Sequence, residues 1–431
     1  MNQYLEALQE SIINADTIWI FENLLTYAVE VGASDIHIEP YESYCRIRLR
    51  IDGILKEIAQ YPKNIHDSII AKFKIESWQM RPDEKRLPQD ARVSTVTLTN
   101  KEIDLRANTL PTVWWEKLVM RIVDKSKKIP PLDVLWIEWI NKEILYRNIN
   151  LPNGIILTTW PTGSWKSTTL YACLNYLNKP EVNITTYEDP VENKMDGINQ
   201  SQVRADIWYT FAQWLRAALR QDPDIIMVWE IRDWETLETA MEAAMTWHLV
   251  FSTIHTNSAA ETITRVLNMG AKPYMISGTF NLVMAQRLAR KICPHCMIKY
   301  NAKEEEPELY KAAVEAIGSM KKDDLAKELK LRGITAQQWE DFKNWYLYKG
   351  KWCDKCEWTG YKGRIWLYEM MEYTDDIKNM LLQGKTAFEI EKYALRNWML
   401  NLERDWIFKV IKWLTTLQEV YRLTKHKDYR N

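Results

Sequence analysis

The sequence predicts an α/β protein in which a smaller mixed α+β domain precedes a mainly parallel sheet flanked by helices. From residue 135 to 290, short apolar runs alternate with helical stretches, a pattern typical of βαβ units. Residues 1–125 instead mix short helical patterns with alternating strands. Between these two parts, the segment 126–134 contains consecutive Pro130 and Pro131 after a basic run, which indicates a linker.

The composition is that of a globular protein and argues against several other classes. The 431 residues are 46% hydrophobic and 27% charged, so the chain is neither disordered nor of low complexity. Lys and Arg number 57 against 58 Asp and Glu, and a net charge of −1 argues against a dominant nucleic-acid-binding surface. No apolar run approaches the roughly 20 residues of a membrane span, and the N-terminus lacks a signal-peptide pattern. We therefore expect a cytoplasmic protein that does not bind nucleic acid directly.

The N-terminal domain is predicted to contain paired strands. The stretch CRIRLRIDGILKEIA alternates in polarity around Asp52 and Gly53, and this dipeptide is a hairpin-turn signal. A second strand-like stretch, KEIDLRANTLPT, leads into KLVMRIVDKS. These patterns place strands in both halves of the domain.

The α/β domain is predicted from strands and helices that alternate along the chain. The predicted strands are GIILTT, NITTYE, DIIMVW and HLVFSTIHT, and the predicted helices include STTLYACLNYLN, FAQWLRAALRQ and ETLETAMEAAM. Residues 291–366 then hold two cysteine pairs around a charged, helix-rich insert. Residues 367–431 predict a helical bundle that ends in a basic tail.

A phosphate-binding loop is predicted where the strand GIILTT runs through WPTGSWKST into a helix. In such a loop, backbone N–H groups and a helix N-terminus surround the phosphates, a lysine reaches the β/γ oxygens, and a hydroxyl holds Mg²⁺. Lys166 and Ser167 would take the last two roles. The pattern requires glycine at positions 160 and 165, where this chain has tryptophan. The alternative is an ordinary strand-to-helix turn with a surface lysine.

Carboxylates and histidines stand at the ends of the other predicted strands. Glu230 follows DIIMVW, and Glu188 and Asp189 end NITTYED, where the active residues of open α/β sheets gather. His248 and His255 flank a buried strand, and a histidine at the carboxyl end of a strand can bind phosphate. Each acid could instead be a solvated loop carboxylate, and each histidine could be structural.

Four cysteines in two CxxC pairs predict a structural zinc site. Two such pairs can place four thiolates tetrahedrally around zinc, which leaves no open catalytic position. The alternatives are a redox pair or reduced free thiols. The predicted ligands are Cys293, Cys296, Cys353 and Cys356. The remaining Cys45 and Cys173 are expected to be buried small residues.

These segments together resemble the secretion ATPases, the family of type II secretion and type IV pilus motor proteins. GIILTTWPTGSWKSTTLYA, ITTYEDPVE, LRQDPDIIMVWEIRD and HLVFSTIHTN are similar in order and spacing to its Walker A, Asp-box, Walker B and His-box segments. ASDIHIEP, LRIDG, RLPQDAR and LRANTLPT resemble the domain that caps its nucleotide site. The resemblance implies a PAS-like α+β domain (1–125), a RecA-like P-loop ATPase core (135–290), a four-Cys zinc subdomain (291–366) and a C-terminal helical part (367–431).

The resemblance also implies roles for individual residues. Glu188 would activate water, Glu230 would be the Walker B acid, and His255 would sense the γ-phosphate. Arg106 and Arg121 match arginines that move onto the γ-phosphate when the capping domain closes, although strand-face salt bridges are the alternative. The residues expected to bind ATP and Mg²⁺ are Thr162, Gly163, Ser164, Lys166, Ser167, Thr168, Asp189 and His248.

The implied function is a homohexameric ATPase motor for pilus or secretion-pseudopilus assembly. Such a motor acts on a platform protein at the inner face of the cytoplasmic membrane and associates with that membrane through its partners. Two alternatives are a structural subunit that does not hydrolyse ATP and a retraction-type pilus ATPase. The four cysteines disfavour the second, because retraction-type ATPases generally lack the zinc subdomain. Because the chain begins almost at the capping domain, we also expect either a different route of membrane docking or a gene start upstream.

Tryptophan is abundant and glycine is scarce. Glycine makes up about 3% of the chain, where roughly 7% is usual, whereas tryptophan numbers 21. Tryptophans at family glycine positions are Trp115, Trp160, Trp165, Trp208, Trp214, Trp229, Trp247, Trp358 and Trp366. An indole at position 165 would obstruct a loop that phosphate approaches through bare backbone. One hypothesis is recoding, since some bacterial lineages read UGA as glycine and other tables read it as tryptophan.

Overall fold

The structure is a computed structural model that describes residues 3–124, 129–159, 166–203 and 211–424. The chain divides into two compact units, Met1–Lys128 and Ile129–Asn431. This division falls within the predicted linker.

The first unit is a six-stranded antiparallel sheet with three helices. The strand order is β3-β2-β1-β6-β5-β4, and Phe21 and Leu24 of α2 pack in one apolar core with Ile36 and Ile47 of the sheet. The predicted hairpin is present, because β2 and β3 pair up to Ile51 opposite Ile54. The elements are α1 (Gln3–Ile13), α2 (Thr17–Glu30), β1 (Asp35–Pro40), β2 (Cys45–Ile51), β3 (Ile54–Tyr61), α3 (His66–Ser77), β4 (Gln89–Val96), β5 (Glu102–Pro111) and β6 (Glu116–Asp124).

The second unit is built on a seven-stranded sheet in the order β15-β12-β7-β11-β10-β8-β9. Every residue of β7, β8, β10 and β11 is buried, as expected for parallel strands covered on both faces. The elements up to the first cysteine pair are α4 (Trp139–Ile149), β7 (Gly154–Thr159), α5 (Lys166–Leu177), β8 (Ile184–Glu188), β9 (Asn199–Gln202), α6 (Phe211–Ala218), β10 (Ile225–Val228), α7 (Trp234–Met245), β11 (Leu249–Ile254), α8 (Glu261–Met269), α9 (Pro273–Thr279) and β12 (Phe280–Ile292).

The cysteine region is continuous with this sheet. The expected boundaries after residues 290 and 366 fall inside β12 and β15, which pair with each other over almost their whole length. The helical insert is present between β13 and β14, and its Tyr310 and Phe342 belong to the same apolar core as the sheet. The remaining elements are β13 (Met297–Asn301), α10 (Ala302–Glu305), α11 (Pro307–Gly318), α12 (Lys322–Leu331), α13 (Ala336–Lys343), β14 (Tyr346–Gly350), β15 (Tyr361–Glu372), α14 (Asp375–Leu382), α15 (Ala387–Asn397), α16 (Leu402–Ile411) and α17 (Leu417–Thr424).

None of the helices in the described ranges combines the length and apolar character that crossing a membrane requires.

Several tryptophans have a backbone conformation that favours glycine. The left-handed region costs an ordinary L-residue about 1–2 kcal/mol and is an outlier for bulky side chains. Two of these positions, Trp247 and Trp358, are among the tryptophans predicted to stand at family glycine positions. The six tryptophans with positive φ are Trp78 (53°), Trp136 (58°), Trp247 (68°), Trp345 (66°), Trp358 (62°) and Trp413 (61°).

Other helices of the same chain end in the same motif with glycine. After α14, Gly384 has a φ of 75°, and the N–H of Lys385 donates to the carbonyl of Met380 at 3.0 Å. After α16, Trp413 takes the equivalent place, and the N–H of Leu414 donates to the carbonyl of Lys409 at 3.0 Å. This six-to-one hydrogen bond defines the helix-end motif that normally requires glycine. The backbone at 413 therefore has the geometry of a glycine position.

Candidate active site

Four adjacent parallel strands bring the predicted site residues to one edge of the sheet. The strands lie in the order β7, β11, β10 and β8, so the segments that follow them are neighbours. Lys166 begins the helix after β7, and His255 directly follows β11. Glu230 lies two residues beyond β10, and Glu188 is the last residue of β8. The carboxyl edge of the sheet therefore holds all four.

The predicted phosphate loop lies largely outside the described part of the chain. This applies to Thr162, Gly163 and Ser164, to the tryptophans at 160 and 165, and to the side chains of Lys166 and Ser167. The described structure resumes with α5, which begins at Lys166, and Thr168 is half-buried in its first turn. A buried strand and a helix that starts at the lysine thus flank the loop, as the motif requires.

Two threonines connect the strand before this loop to the segment that carries His255. The hydroxyl of Thr159, the last residue of β7, donates to the carbonyl oxygen of Thr256 at 2.7 Å. The same hydroxyl accepts from the N–H of Thr256 at 2.9 Å. The sequence analysis did not single out Thr159 or Thr256. The only hint in the sequence was that Thr256 directly follows the predicted site residue His255. These bonds fix His255 beside the start of the phosphate loop.

Glu230 and His255 are in direct contact. The Glu230 side chain is nearly buried, and its Oε1 lies 2.8 Å from Nε2 of His255. Its Oε2 accepts a hydrogen bond from Arg232 at 2.7 Å, and this bond raises the pKa of the guanidinium. The predicted Walker B acid and the predicted γ-phosphate sensor therefore form one connected unit.

Glu188 is completely buried and accepts three side-chain hydrogen bonds. Its Oε1 accepts from Thr186 at 2.7 Å and from Gln200 at 2.9 Å, and its Oε2 accepts from the Tyr171 hydroxyl. Burial raises the pKa of Glu188, while the three donors act in the opposite direction. Sequence reasoning did not single out Tyr171 or Gln200, because they lie 17 and 12 residues away along the chain.

Asp189 and His248 occupy different positions relative to this site. Asp189 is exposed next to Glu188, and its charge contributes to the raised pKa of Arg232. His248 precedes β11, so it lies at the amino edge of the sheet, about 20 Å from the site along a six-residue strand. There its Nδ1 lies 2.9 Å from the carbonyl oxygen of Ala243. Within this chain, His248 therefore lies at the opposite edge of the sheet from Glu230 and His255, and its contact with nucleotide stays a prediction.

The two predicted arginines lie side by side in the first unit. Arg106 of β5 is directly opposite Arg121 of β6, so both side chains project from the same face of the sheet. Arg121 donates to Asp35 of β1 at 3.1 Å. The strand-face salt bridge considered as the alternative is therefore present at Arg121.

The four predicted zinc ligands converge. All four Sγ atoms lie within 4.8 Å of one another, and the pairs 293–353 and 296–356 are both 3.8 Å apart. A tetrahedral zinc with bonds of about 2.3 Å would separate its sulfurs by about 3.8 Å. The backbones of Gly350 and Gly360 approach so closely that a Cβ at Gly350 would lie 1.8 Å from the Gly360 carbonyl oxygen. The donor set fits zinc.

The two remaining cysteines are buried and lie outside this cluster.

Comparisons with known proteins identify the family. The sequence model described as "Type II/IV secretion system protein" matches residues 13–422. The type IV pilus assembly ATPase PilB of Pseudomonas aeruginosa is 41% identical over 412 residues, which are 96% of this chain and 68% of that protein. The type II secretion system ATPase E of Vibrio cholerae is 39% identical over 420 residues, 97% of this chain and 78% of that protein.

A solved structure supports the fold. The X-ray structure of the Legionella pneumophila ATPase DotB superimposes with a TM-score of 0.65 at 19% identity and covers 94% of this chain and 95% of that one. The chain spans about two thirds of the length of the pilus assembly relatives. The predicted family and α/β ATPase fold are confirmed, and the protein belongs to the type II/IV secretion system protein family, alongside pilus assembly and type II secretion ATPases.

Proposed function

We propose that this protein is a hexameric ATPase motor that drives assembly of a type IV pilus or a type II secretion pseudopilus. The observation that carries the proposal is the contact of Glu230 with His255 beside the helix that begins at Lys166. An acid near a helix that begins at the phosphate-loop lysine is an arrangement that P-loop ATPases use to hydrolyse ATP. The relatives named as pilus assembly and type II secretion ATPases support this activity for the chain.

Each part of the edge has a proposed role. Lys166, Ser167 and Thr168 would bind the phosphates of ATP, together with the backbone N–H groups of 162–164, and Ser167 would also hold Mg²⁺. Glu230 would orient a water of the metal site, His255 would contact both the γ-phosphate and Glu230, and Glu188 would accept the proton of the attacking water. Asp189 lies within the same nucleotide-binding edge. Mg²⁺ supplies charge neutralisation at the phosphates when bound.

The remaining parts of the proposal concern assembly. The first unit is a PAS-like cap that brings Arg106 and Arg121 onto the γ-phosphate, where their positive charge stabilises the transition state. Closure of this cap in a homohexamer moves a platform protein of the inner membrane, to whose cytoplasmic face the motor is held by its partners. The four cysteines hold a structural zinc, which sets the chain apart from retraction-type motors.

We further propose that the natural protein has glycine, read from UGA codons, at the tryptophan positions 160 and 165 and at the six left-handed positions. The backbone geometry at the ends of α7, α13 and α16 supports this reading. We call the chain with glycine at these eight positions the glycine form.

The codons and the peptide masses test the recoding directly. We expect UGA at all eight positions in the gene and glycine masses in peptides of the protein purified from its natural host. Peptides that end at Lys166 and Arg422 would report the phosphate loop and the end of α16. UGG codons or tryptophan masses at these positions would contradict the proposal.

The ATPase assignment is tested in the glycine form with Glu230→Gln. This substitution keeps the size of the side chain but removes its charge, and we expect turnover of ATP to fall at least about 100-fold, as for other electrostatic groups in active sites. Glu235→Gln is the matched control, because Glu235 is an exposed acid that pairs with Arg216 on the surface. Full turnover in Glu230→Gln would contradict the Walker B role.

The alternative is a structural subunit of the same machine that does not hydrolyse ATP. It is favoured only if tryptophan is the natural residue at 160 and 165, because an indole there obstructs phosphate. Tryptophan masses in the loop peptide, together with no turnover by the natural protein, would support it.

A further inference from the structure

We propose that Tyr171 is a positioning residue that holds Glu188 and thereby sets the pH range in which the motor turns over ATP. This inference rests on the proposed role of Glu188 as the group that accepts a proton from water. It concerns a residue that is remote in sequence from the Asp-box.

The Tyr171 hydroxyl has both of its hydrogen-bonding roles occupied. It donates to Oε2 of Glu188 and accepts from the backbone N–H of Glu192 at 3.3 Å. Both Tyr171 and Glu188 are fully buried, and the low dielectric of their surroundings strengthens the hydrogen bond between them. The single proton of the hydroxyl is therefore directed at the carboxylate.

This bond opposes the effect of burial on the carboxylate. Burial favours the neutral form of Glu188, and a donor to the carboxylate favours the charged form. The groups that act on its charge are Tyr171 from α5, Thr186 from β8, Gln200 from β9 and Glu192 from the loop after β8. Only the Glu192 charge among these four acts in the same direction as burial. A base must be deprotonated to accept a proton, so the donors extend the activity of Glu188 to lower pH.

Tyr171 also connects the base to the phosphate site. Tyr171 lies on α5, five residues after Lys166, and its hydroxyl donates to Glu188. The helix that begins at Lys166 therefore contacts Glu188 directly. A shift of α5 therefore changes the surroundings of Glu188 directly.

The test is Tyr171→Phe in the glycine form, with kcat measured across pH. Loss of the donor raises the pKa of Glu188, so we expect the acidic limb of the kcat profile to move up by about one pH unit. At the pH of that limb, kcat should fall about 10-fold, while KM for ATP changes little. The matched control is Tyr368→Phe, since its buried hydroxyl contacts Thr169 of the same helix at 3.3 Å. The control should keep the original profile.

Two further variants make the result decisive. Gln200→Leu removes a different donor to Glu188 and should shift the same limb in the same direction, so the inference does not depend on Tyr171→Phe folding well. In a Glu188→Gln background, Tyr171→Phe should cause no additional loss, because the carboxylate through which it acts is gone. Unchanged pH profiles in both donor variants would overturn the positioning role. Full turnover in Glu188→Gln would instead overturn the proposed base.

Discussion

At the scale of single residues, buried carboxylates in this chain are held by specific donors. Glu369 of β15 is one example outside the proposed active site. Its Oε1 accepts from the N–H of Ala259 at 2.7 Å, and its Oε2 accepts from the N–H of Leu402 at 3.2 Å. The side chain thus joins the segment before α8 to the start of α16. Burial raises the pKa of Glu369 to about 7, from an ordinary value of 4.5.

This raised pKa predicts a pH-dependent stability. Because the folded state favours the protonated carboxyl, the contribution of Glu369 is fully present below about pH 4.5 and is lost as the pH rises through about 7. Glu369→Gln should remove that part of the pH dependence, on the order of 3 kcal/mol. Denaturant unfolding of the glycine form between pH 4.5 and 8 measures it. Glu308→Gln, an exposed acid, is the control and should leave the slope unchanged.

At the scale of elements, the cysteine cluster and the helical insert are stabilised separately. The cysteines lie in the turns after β12 and before β15. Near them, the backbones of Gly350 and Gly360 are in close contact. The insert is held by apolar contacts, since Tyr310 and Phe342 belong to the core of the main sheet. Loss of metal should therefore affect the turns more than the helices.

Metal removal tests this separation. We expect about one zinc per chain in the purified glycine form, measured by elemental mass spectrometry, and loss of that zinc in Cys353→Ser. Far-UV circular dichroism should change little, because α11 and α13 retain their core contacts, whereas proteolysis near residues 351–360 should accelerate. Cys45→Ser is the control, since Cys45 lies outside the cluster. Retained zinc in Cys353→Ser would contradict the proposed ligand set.

At the scale of the whole molecule, the proposal divides one reaction between two units of the chain. The carboxyl edge of the parallel sheet belongs to Ile129–Asn431, and the proposed arginines belong to Met1–Lys128. Asp35 holds Arg121 in the first unit and also contacts Arg50 at 3.4 Å and Ser34 at 2.8 Å. Removal of Arg121 therefore leaves Asp35 with other partners, so the sheet should stay folded.

The arginine role predicts a loss of turnover without a loss of binding. Arg121→Ala in the glycine form should lower kcat at least about 100-fold. An arginine that reaches a transferring phosphoryl group raises kcat by a factor of about 10³–10⁵. Affinity for ATP should remain within a few-fold, since the proposed phosphate loop belongs to the other unit. Lys101→Ala removes an exposed cation of the same unit and is the control. Equal turnover in both variants would contradict the proposal.

The sequence predicted those features that depend on local pattern. The buried strands, the residues after them and the four cysteines follow from periodicity and spacing, so Glu188, Glu230 and His255 lie where expected. His248 was predicted to belong to the site because a histidine stands at each end of β11. The direction of the strand puts His255 at the carboxyl edge of the sheet and His248 at the amino edge. Tyr171, which bonds to Glu188 from another element, could not be predicted, since a hydrogen bond between distant segments leaves no pattern in one sequence.

The helix ends described above have a consequence for reading genomes. Trp345 and Trp413 have the same left-handed backbone as Gly333 and Gly384 of this chain. The glycines of one chain therefore provide an internal reference for deciding whether a codon read as tryptophan encodes glycine. The energetic cost of a Cβ in the left-handed conformation does not depend on the genetic code with which the gene is translated. An altered genetic code can therefore be detected in a newly sequenced gene by asking how many tryptophans of the encoded protein have a positive φ.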